Sequence, residues 1–493
     1  MKRKIVLFTI IALSTIYTSA QMKCNRQTIH LTIPDSTNLT YYSKPRLLQG
    51  IVTTVGLNIG VWAFDRYIQK GDFAYISTKS IRENFKHGFI WDNDKLSTNM
   101  FLHPYHGNLY FNAARSNGFN YWQSGLFAFG GSAMWELFME SEYPSTNDII
   151  ATPIGGMILG EMLYRTSDVI LDDRTSGSER TSREIVAFVV SPMRGLTRVI
   201  NGDVWKRHAT SGRQFGTPDV CATFSAGVRA LEFKDDVLDK GIGFTTEINI
   251  EYGDKFNTSH ERPFDFFTFR TGLNIQQSQP VIGHINIIGR LLNCGLVDKD
   301  NTQLNVGVYQ HFDFYDSDTI SDVSALTPYK LATPAAVGGG LQFRQKNIRN
   351  WDITSSLYGN AIIMGAVLSD YYHLDQRNYN IANGFGTKLQ VTALYKENKF
   401  SLSLSHEFYR MFTWKGYEKN INWATLNPKT LNAQGDESQA SVHVSEFRID
   451  YRISKRLFIT GSFMHFHRDT NYRYYPDIKT STTSTRLMLS YIL

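Results

Sequence analysis

From about residue 217 onward, apolar and polar residues alternate along the chain in segments of roughly ten to fourteen positions. In one segment, for example, Phe244 and Ile248 alternate with Glu247 and Asn249. Successive side chains of a β-strand point to opposite faces, so a period of two is typical of strands. The pattern therefore predicts a region of long β-strands that occupies the C-terminal half of the chain.

The length and spacing of these segments favour a membrane barrel over a soluble sandwich. They exceed the usual five or six residues and suit a tilted crossing of a bilayer. After the sixth segment, long and short connections alternate, as the external loops and periplasmic turns of outer-membrane barrels do. Leu487, Leu489 and Tyr491 continue the alternation to the C-terminus. The expected strands are 217–233, 241–253, 264–277, 281–293, 303–315, 333–346, 350–365, 385–396, 399–413, 440–453, 457–468 and 481–493.

Two details of this region give finer expectations. Strand 440–453 changes phase near Ser445 and Glu446, which predicts a β-bulge. Charges of both signs fall on the lumen side, which favours a salt-bridged, largely filled interior over a narrow pore. These positions are Arg229, Arg270, Arg290, Arg344, Lys388, Arg448, Arg452 and Arg486, with Glu247, Glu251, Asp313, Glu407 and Asp450.

The N-terminus has the features of an export signal. Residues 1–20 combine a basic start, an apolar run and small residues before Ala20, which predicts a secretory signal peptide. Residues 21–45 form a polar lead-in. The formal net charge is +6, and the signal carries three basic residues and no acidic one. The mature chain is therefore too weakly basic to predict a nucleic-acid partner. Three cysteines provide no disulfide framework, although Cys24 has two candidate partners in Cys221 and Cys294.

Between residues 46 and 212 the period of two disappears, and helical stretches with glycine breaks replace it. Three runs lack Asp, Glu, Lys and Arg: Leu47–Phe64, Ser116–Trp135 and Ile149–Gly160. We expect buried helices of a compact domain, with membrane insertion as the alternative. The glycine pairs 56/60 and 156/160 predict close helix approach.

The pattern as a whole predicts an α+β membrane protein in four parts. A signal peptide (1–20) and a polar lead-in (21–45) precede an N-terminal helical domain (46–212). An antiparallel transmembrane β-barrel of about twelve strands (213–493) follows. We expect the barrel in the cell outer membrane and the helical domain on its periplasmic side.

The helical region also contains a group of polar residues that merits a chemical interpretation. Pro104 separates His103 from His106, which predicts a helix start with both imidazoles on one side. A site of two histidines and a carboxylate is one interpretation; the favoured one is that these groups satisfy helix ends and pair with arginines. No metal or other cofactor is predicted, with His103 and His106 as the weak metal candidates. The candidate cluster is His103, His106, Arg115, Glu136, Glu140, Asp148 and Glu161.

We further expect Glu136 and Asp148 to lie near the turn at His103 and His106, with Arg115 as their cationic partner. The charge-free runs on either side must pack together, and carboxylates at their ends need cationic or N–H partners.

Short motifs between His103 and Ile200 resemble an uncharacterised family of Bacteroidota outer-membrane proteins, the domain-of-unknown-function family 3943. The resemblance implies a location in the envelope and brings no established activity. The motifs that carry it are His103–Asn108, Tyr110–Phe111, Ala114–Arg115, Asn117–Gly118, Trp135–Glu136, Pro144–Ser145, Asn147–Asp148, Thr152–Pro153, Gly155–Gly156, Gly160–Glu161, Asp172–Asp173 and Pro192–Leu196.

The function expected from these features is a barrel without catalysis that binds or passes a small solute or lipid, or supports an envelope complex. The alternative is an outer-membrane lipid-modifying enzyme that uses the histidines and carboxylates of the helical domain. Expected partners are outer-membrane lipid, the barrel-assembly machinery during biogenesis and a periplasmic protein, and no nucleic acid.

Overall fold

The computed structural model describes residues 44–493 apart from 93, 234–235, 259–261, 319–326, 373–376, 397–398 and 428–430. The predicted signal peptide (1–20) and most of the polar lead-in (21–45) lie outside the described residues. Two units can be distinguished. The helical unit contains the described residues up to Ile90 and Leu102–Val220, and the barrel unit contains Trp91–Phe101 and Cys221–Ile492.

Twelve described strands form a closed antiparallel barrel, in which β1 pairs with β12. The twelve-strand barrel predicted from the alternating pattern is therefore confirmed. Each predicted strand corresponds to an observed one, with ends that differ by at most six residues. The strands are β1 Val220–Phe233, β2 Asp236–Tyr252, β3 Phe267–Ile275, β4 Ile282–Lys299, β5 Thr302–Asp316, β6 Lys330–Ile348, β7 Trp351–Leu368, β8 Tyr379–Tyr395, β9 Phe400–Thr413, β10 Ser438–Arg452, β11 Leu457–Tyr472 and β12 Ile478–Ile492.

The predicted bulge in β10 is wrong. The strand pairs in unbroken register with β9 and β11 across Ser445 and Glu446. Val442, Val444 and Glu446 are all buried on the lumen side. The apparent change of phase arises because the lumen side of β10 turns from apolar to charged, while its outer side turns from polar to apolar. A change in the surroundings along one strand can therefore produce the same sequence pattern as the inserted residue of a bulge.

Residues Trp91–Phe101 belong to the barrel unit, although they fall inside the region predicted to be helical. Asn99 Nδ2 donates a hydrogen bond of 2.7 Å to the hydroxyl of Tyr379, and the rings of Phe101 and Phe314 lie 6.0 Å apart. Tyr379 and Phe314 alternate with lumen-facing neighbours, so they stand on the outer face of the barrel. The segment therefore lies against the outer wall.

The helical unit contains seven described α-helices; π-helical turns follow two of them, and a third π-helical turn, Thr98–Leu102, precedes α3. A π-turn at Asp65–Gln69 continues α1, and another at Trp135–Met139 continues α4. The helices are α1 Leu47–Phe64, α2 Thr78–His87, α3 His103–Arg115, α4 Tyr121–Met134, α5 Asp148–Ile170, α6 Gly177–Val190 and α7 Pro192–Ile200.

Glycine allows α3 and α5 to approach until their backbones touch. A Cβ atom added at Gly156 would lie 2.4 Å from the carbonyl carbon of Gly107, far inside van der Waals contact. The close approach predicted for the second glycine pair is therefore correct at Gly156. The same prediction is wrong for Gly56 and Gly60, where an added Cβ would meet open space.

The three charge-free runs have different surroundings. The run inside α5 is largely buried, as predicted. In α1, by contrast, the buried residues are only Gly50, Thr54 and Asn58, so the expectation of a buried helix is wrong for this run. The run around α4 is intermediate in burial. Ser124, Ala128 and other small residues are buried, whereas bulky apolar residues are exposed.

Candidate functional site

A first polar cluster lies at the beginning of α3. His103 Nε2 is 3.8 Å from a carboxylate oxygen of Asp148. The backbone N–H of Ser145 donates to Glu136 Oε2 at 2.7 Å, and the N–H of Asp148 donates to Ser145 Oγ at 3.1 Å. The structure therefore gathers His103, Glu136 and Asp148 around Ser145, whose hydroxyl satisfies an N–H at the start of α5.

His106 lies one helical turn beyond His103, but in an aromatic environment. Its ring stacks on Tyr110 at 4.6 Å and meets Trp135 edge-on at 5.1 Å. Burial, with a smaller contribution from His103, lowers the pKa of His106 to about 3. The imidazole is therefore neutral at physiological pH and fills space between aromatic rings.

Glu140 lies at the end of the π-helical turn that contains Glu136. Its backbone carbonyl accepts a hydrogen bond of 3.1 Å from Asn84 Nδ2. Burial raises the pKa of Tyr110 well above its ordinary value, and the nearby carboxylates of Glu136 and Glu140 raise it further.

Arg115 and Glu161 belong to a second, separate cluster. Arg115 Nε lies 2.7 Å from Glu161 Oε2, and Arg165 Nε lies 2.9 Å from Glu161 Oε1. All three side chains are buried. Burial raises the pKa of Glu161, but the two guanidinium groups outweigh it and hold the pKa below the usual value. Arg115 thus pairs with Glu161, whereas the sequence analysis expects it near Glu136 and Asp148.

The sequence analysis missed further buried ion pairs at the end of the helical unit. Arg194 Nη2 lies 2.5 Å from Asp168 Oδ1. Arg198 contacts both Glu184 and Asp173 at 2.7 Å. The motif residues Asp172–Asp173 and Arg194 were the available signal, because charges that recur in an otherwise apolar helical region imply partners.

A network of opposite charges crosses the barrel lumen. Glu247 of β2 contacts Arg270 of β3 at 2.8 Å and Arg448 of β10 at 2.5 Å. Arg270 also pairs with Glu446 of β10, and Arg486 of β12 lies 3.4 Å from Glu247. Between β3 and β10 stand four strands on the shorter path around the barrel. These ion pairs therefore join opposite walls.

A second group of contacts fills the lumen on another side. Lys388 of β8 lies 2.5 Å from Asp313 of β5, and both side chains are almost wholly buried. The hydroxyl of Tyr315 donates to Glu407 across the lumen at 2.9 Å. An apolar cluster packs beside them, with members Tyr315, Tyr329, Leu331, Ala336, Ile362, Val367, Ala382, Tyr409, Met411, Ala440, Val442, Val444, Met464 and Phe466.

The outer wall of β9–β12 changes from apolar to polar in successive rows of paired residues. One row consists of Leu404, Phe447, Phe463 and Thr485. The next row towards the long connections consists of His406, Ser445, His465 and Thr483, in which the imidazoles bond to the hydroxyls at 2.8 and 3.1 Å. Two rows further on come Arg410, Ser441, Asp469 and Lys479. This order follows the passage from hydrocarbon through headgroups to water.

Solved structures with a similar barrel include the NanC porin, with 9% sequence identity and a TM-score of 0.28, over 55% of this chain and 100% of that chain. The outer-membrane protein OmpT of Vibrio cholerae matches with 8% identity and a TM-score of 0.24, over 56% and 100%. The toluene transporter TodX of Pseudomonas putida matches with 8% identity and a TM-score of 0.22, over 55% and 88%. Likeness at this level does not transfer a substrate to this chain.

No curated protein matches the chain. Residues 88–193 match the model of the family described as a domain of unknown function, DUF3943. This segment includes Trp91–Phe101 on the outer wall of the barrel and both polar clusters of the helical unit. The match confirms, over residues 88–193, the resemblance to this family predicted from the motifs.

Proposed function

We propose that this protein is an outer-membrane β-barrel that serves as a membrane anchor for the helical region and does not conduct solutes through its lumen. The observation that carries the proposal is the ion-pair network across the lumen, from Arg270 and Glu247 to Glu446 and Arg448. Side chains that join opposite walls place charged groups across the lumen and obstruct an aqueous path through it.

Location in the outer membrane is supported by the outer wall. Apolar rows followed by imidazole, hydroxyl and charged rows match the depth profile of a bilayer. A closed barrel also leaves no strand edge unpaired in lipid. Contact with outer-membrane lipid and insertion by the barrel-assembly machinery are therefore part of the proposal, as is support of a periplasmic partner.

The side on which the helical region lies stays a prediction. The sequence analysis expects the periplasmic side.

Electrical measurement on purified protein in planar bilayers tests the proposal. We expect the wild-type protein to insert without steady ionic conductance. The variant Arg270→Ser with Glu446→Ser removes both partners of one cross-lumen pair, so neither is left charged and unpaired, and it should lower the barrier to ions relative to the wild-type protein. The matched control replaces the exposed pair Arg473 and Glu437 by serine and should remain silent. Steady conductance of the wild-type protein would contradict the proposal.

The alternative of a lipid-modifying enzyme remains a prediction, as does binding of a small solute or lipid by the barrel. His103 and Asp148 lie 3.8 Å apart, but His106 is enclosed by Tyr110 and Trp135. Loss of a lipid-dependent phenotype in a His103→Gln variant that still assembles would favour the enzyme.

A further inference from the structure

One face of helix α1 is apolar and uncovered. Leu48, Val52 and Ile59 fall on a single stripe of the helix, and 76%, 60% and 49% of their surfaces are exposed. The opposite side buries Gly50 and the polar residues Thr54 and Asn58. This distribution is the reverse of that of a surface helix in a water-soluble protein, which turns its apolar side inward.

The polar side chains of α1 are satisfied within the protein. Thr53 and Thr54 turn back to carbonyl groups of their own helix, and Asn58 binds two buried partners. Desolvation of the exposed stripe would therefore leave no polar group of α1 unpaired. The bonds are Gln49 Nε2 to Asn201 Oδ1 (2.8 Å), Thr53 Oγ1 to Gln49 O (2.6 Å), Thr54 Oγ1 to Gly50 O (2.9 Å), Asn58 Nδ2 to Gly131 O (3.1 Å), Tyr110 Oη to Asn58 Oδ1, and Trp62 Nε1 to Ala74 O (3.0 Å).

The dimensions and flanks of this helix suit a bilayer. Together with its π-helical turn it spans Leu47–Gln69, 23 residues, and among the described helices it alone is long and apolar enough to cross a membrane. At 1.5 Å per residue it measures about 34 Å, against a hydrocarbon core of about 30 Å. Arg46 precedes it, and Arg66 and Tyr67 lie in its last turn. Cationic and aromatic residues at both ends are typical of membrane anchors.

Helix α4 shows the same inversion. It exposes Trp122, Leu126 and Phe129, while Ser124 and Ser132 are almost wholly buried. Charged side chains of α3 and α5 are likewise buried as ion pairs, as described for Glu161 and its two arginines. At α1 and α4 the unit therefore buries polar groups and presents bulky apolar side chains at its surface.

We propose that the helical unit is in direct contact with a lipid bilayer, and that the outward stripe of α1 packs against acyl chains. A protein partner fits this stripe less well. Protein interfaces carry about one hydrogen bond per 100–200 Å², whereas the stripe of Leu48, Val52 and Ile59 offers neither a donor nor an acceptor side chain. The contact is independent of whether the barrel lumen is closed, so the two proposals stand or fall separately.

Spin labels on this stripe test the contact. The full-length protein, with Cys24, Cys221 and Cys294 replaced by serine, carries one new cysteine in each variant: Leu48→Cys, Val52→Cys or Ile59→Cys. Each is labelled with a nitroxide and reconstituted into vesicles of phosphatidylethanolamine and phosphatidylglycerol. Collision of the label with oxygen, which concentrates in hydrocarbon, is compared with collision with a water-soluble nickel chelate. Lys79→Cys in the polar helix α2 serves as the matched control.

We expect oxygen collisions to exceed nickel collisions at Val52 and Ile59, and the opposite ratio at Lys79. Greater collision with nickel at Val52 and Ile59 would place the stripe in water and overturn the proposal. Low collision with both reagents would also overturn it, because the stripe would then be covered by protein, either another segment of this chain or a second copy. Heat-modifiable migration of each variant confirms that its barrel has assembled.

Discussion

The barrel and the helical unit both enclose charged side chains, but they pair them over very different distances along the chain. In the barrel, Arg270 is 176 residues from Glu446 and Arg448 is 201 residues from Glu247. In the helical unit, Arg165 is four residues from Glu161 and Arg115 is 46. The lumen network therefore forms only when the barrel closes, whereas the helical pairs can form while neighbouring helices associate.

This difference separates two ways of stabilising buried charge. A buried ion pair gains little over an apolar replacement, yet loss of one partner is costly because the other charge remains buried. In the lumen Arg270 contacts both Glu247 and Glu446, and Arg448 contacts both Glu247 and Asp450, so each arginine keeps one carboxylate when the other is lost. In the helical unit one carboxylate, that of Glu161, contacts both Arg115 and Arg165.

The largest effect is expected from the loss of Glu161. In the variant Glu161→Gln, two buried guanidinium groups lose the negative charge that both contact, which should destabilise the helical unit by roughly 3–5 kcal/mol. Pulse proteolysis of the full-length protein in a urea series measures this change through cleavage within the helical unit. The control Glu179→Gln removes a half-exposed partner of Arg183 and should cost less than about 1 kcal/mol. Equal losses of stability in the Glu161→Gln and Glu179→Gln variants would contradict this difference between the buried and the half-exposed carboxylate.

The outer wall of the barrel provides the next test. Leu487 is 58% exposed on the apolar rows, and Arg at this position should cost about 2–4 kcal/mol in a bilayer. Ser481 lies outward on the same strand among the polar rows, where Arg should cost no more than about 1 kcal/mol. Urea unfolding in phospholipid vesicles compares Leu487→Arg with Ser481→Arg. If both variants lose the same stability, the apolar and polar rows are assigned incorrectly.

Two glycines of the helical unit, one at the contact between α3 and α5 and one facing open space, allow a further comparison of stability. An added methyl group at Gly156 collides with the backbone of Gly107, so Gly156→Ala should destabilise the unit by about 1–3 kcal/mol. Gly60 is also helical but faces open space. Gly60→Ala should therefore stabilise the unit, by up to about 1 kcal/mol, through helix propensity alone. Pulse proteolysis measures both, and a destabilised Gly60→Ala variant would show a close neighbour at that position.

A smaller, pH-dependent effect is expected from His106. Burial and the nearby His103 lower its pKa to about 3 in the folded protein, against about 6.5 in an unfolded chain. Between these values the unfolded chain binds a proton that the folded unit excludes. Stability therefore falls as the pH drops below about 6.5, by about 2 kcal/mol between pH 7 and pH 5. Urea midpoints at the two pH values should differ less in His106→Phe; an unchanged difference would exclude His106 as the cause.

The barrel was predictable because the outer face of its strands is mostly apolar and the lumen face mostly polar, which produces a period of two in the sequence. The pattern failed only where the lumen itself is apolar: Val442 and Val444 on the lumen side of β10 imitate a bulge. An apolar helical run does not reveal its surroundings in the same way, because it suits either a protein interior or a surface in contact with lipid. The run in α5 is buried, whereas α1 exposes Leu48 and Val52.

The candidate cluster could be read from the sequence only in part. His103, Glu136 and Asp148 come together because Ser145 links the start of α5 to the turn after α4. Arg115 and Glu161 lie apart from them because the crossing of α3 and α5 at Gly107 and Gly156 sets which residues face each other. That crossing depends on backbone contact in three dimensions, which spacing along the chain does not reveal.

Gel migration of the protein from isolated outer membranes tests the central claim most directly. A closed twelve-strand barrel in which β1 pairs with β12 should resist detergent at room temperature and unfold on boiling. We predict that the full-length protein fractionates with the outer membrane and migrates faster in unboiled samples than in boiled ones. A soluble protein, one that fractionates with the inner membrane, or one whose migration does not change on heating would contradict the assignment of an outer-membrane barrel.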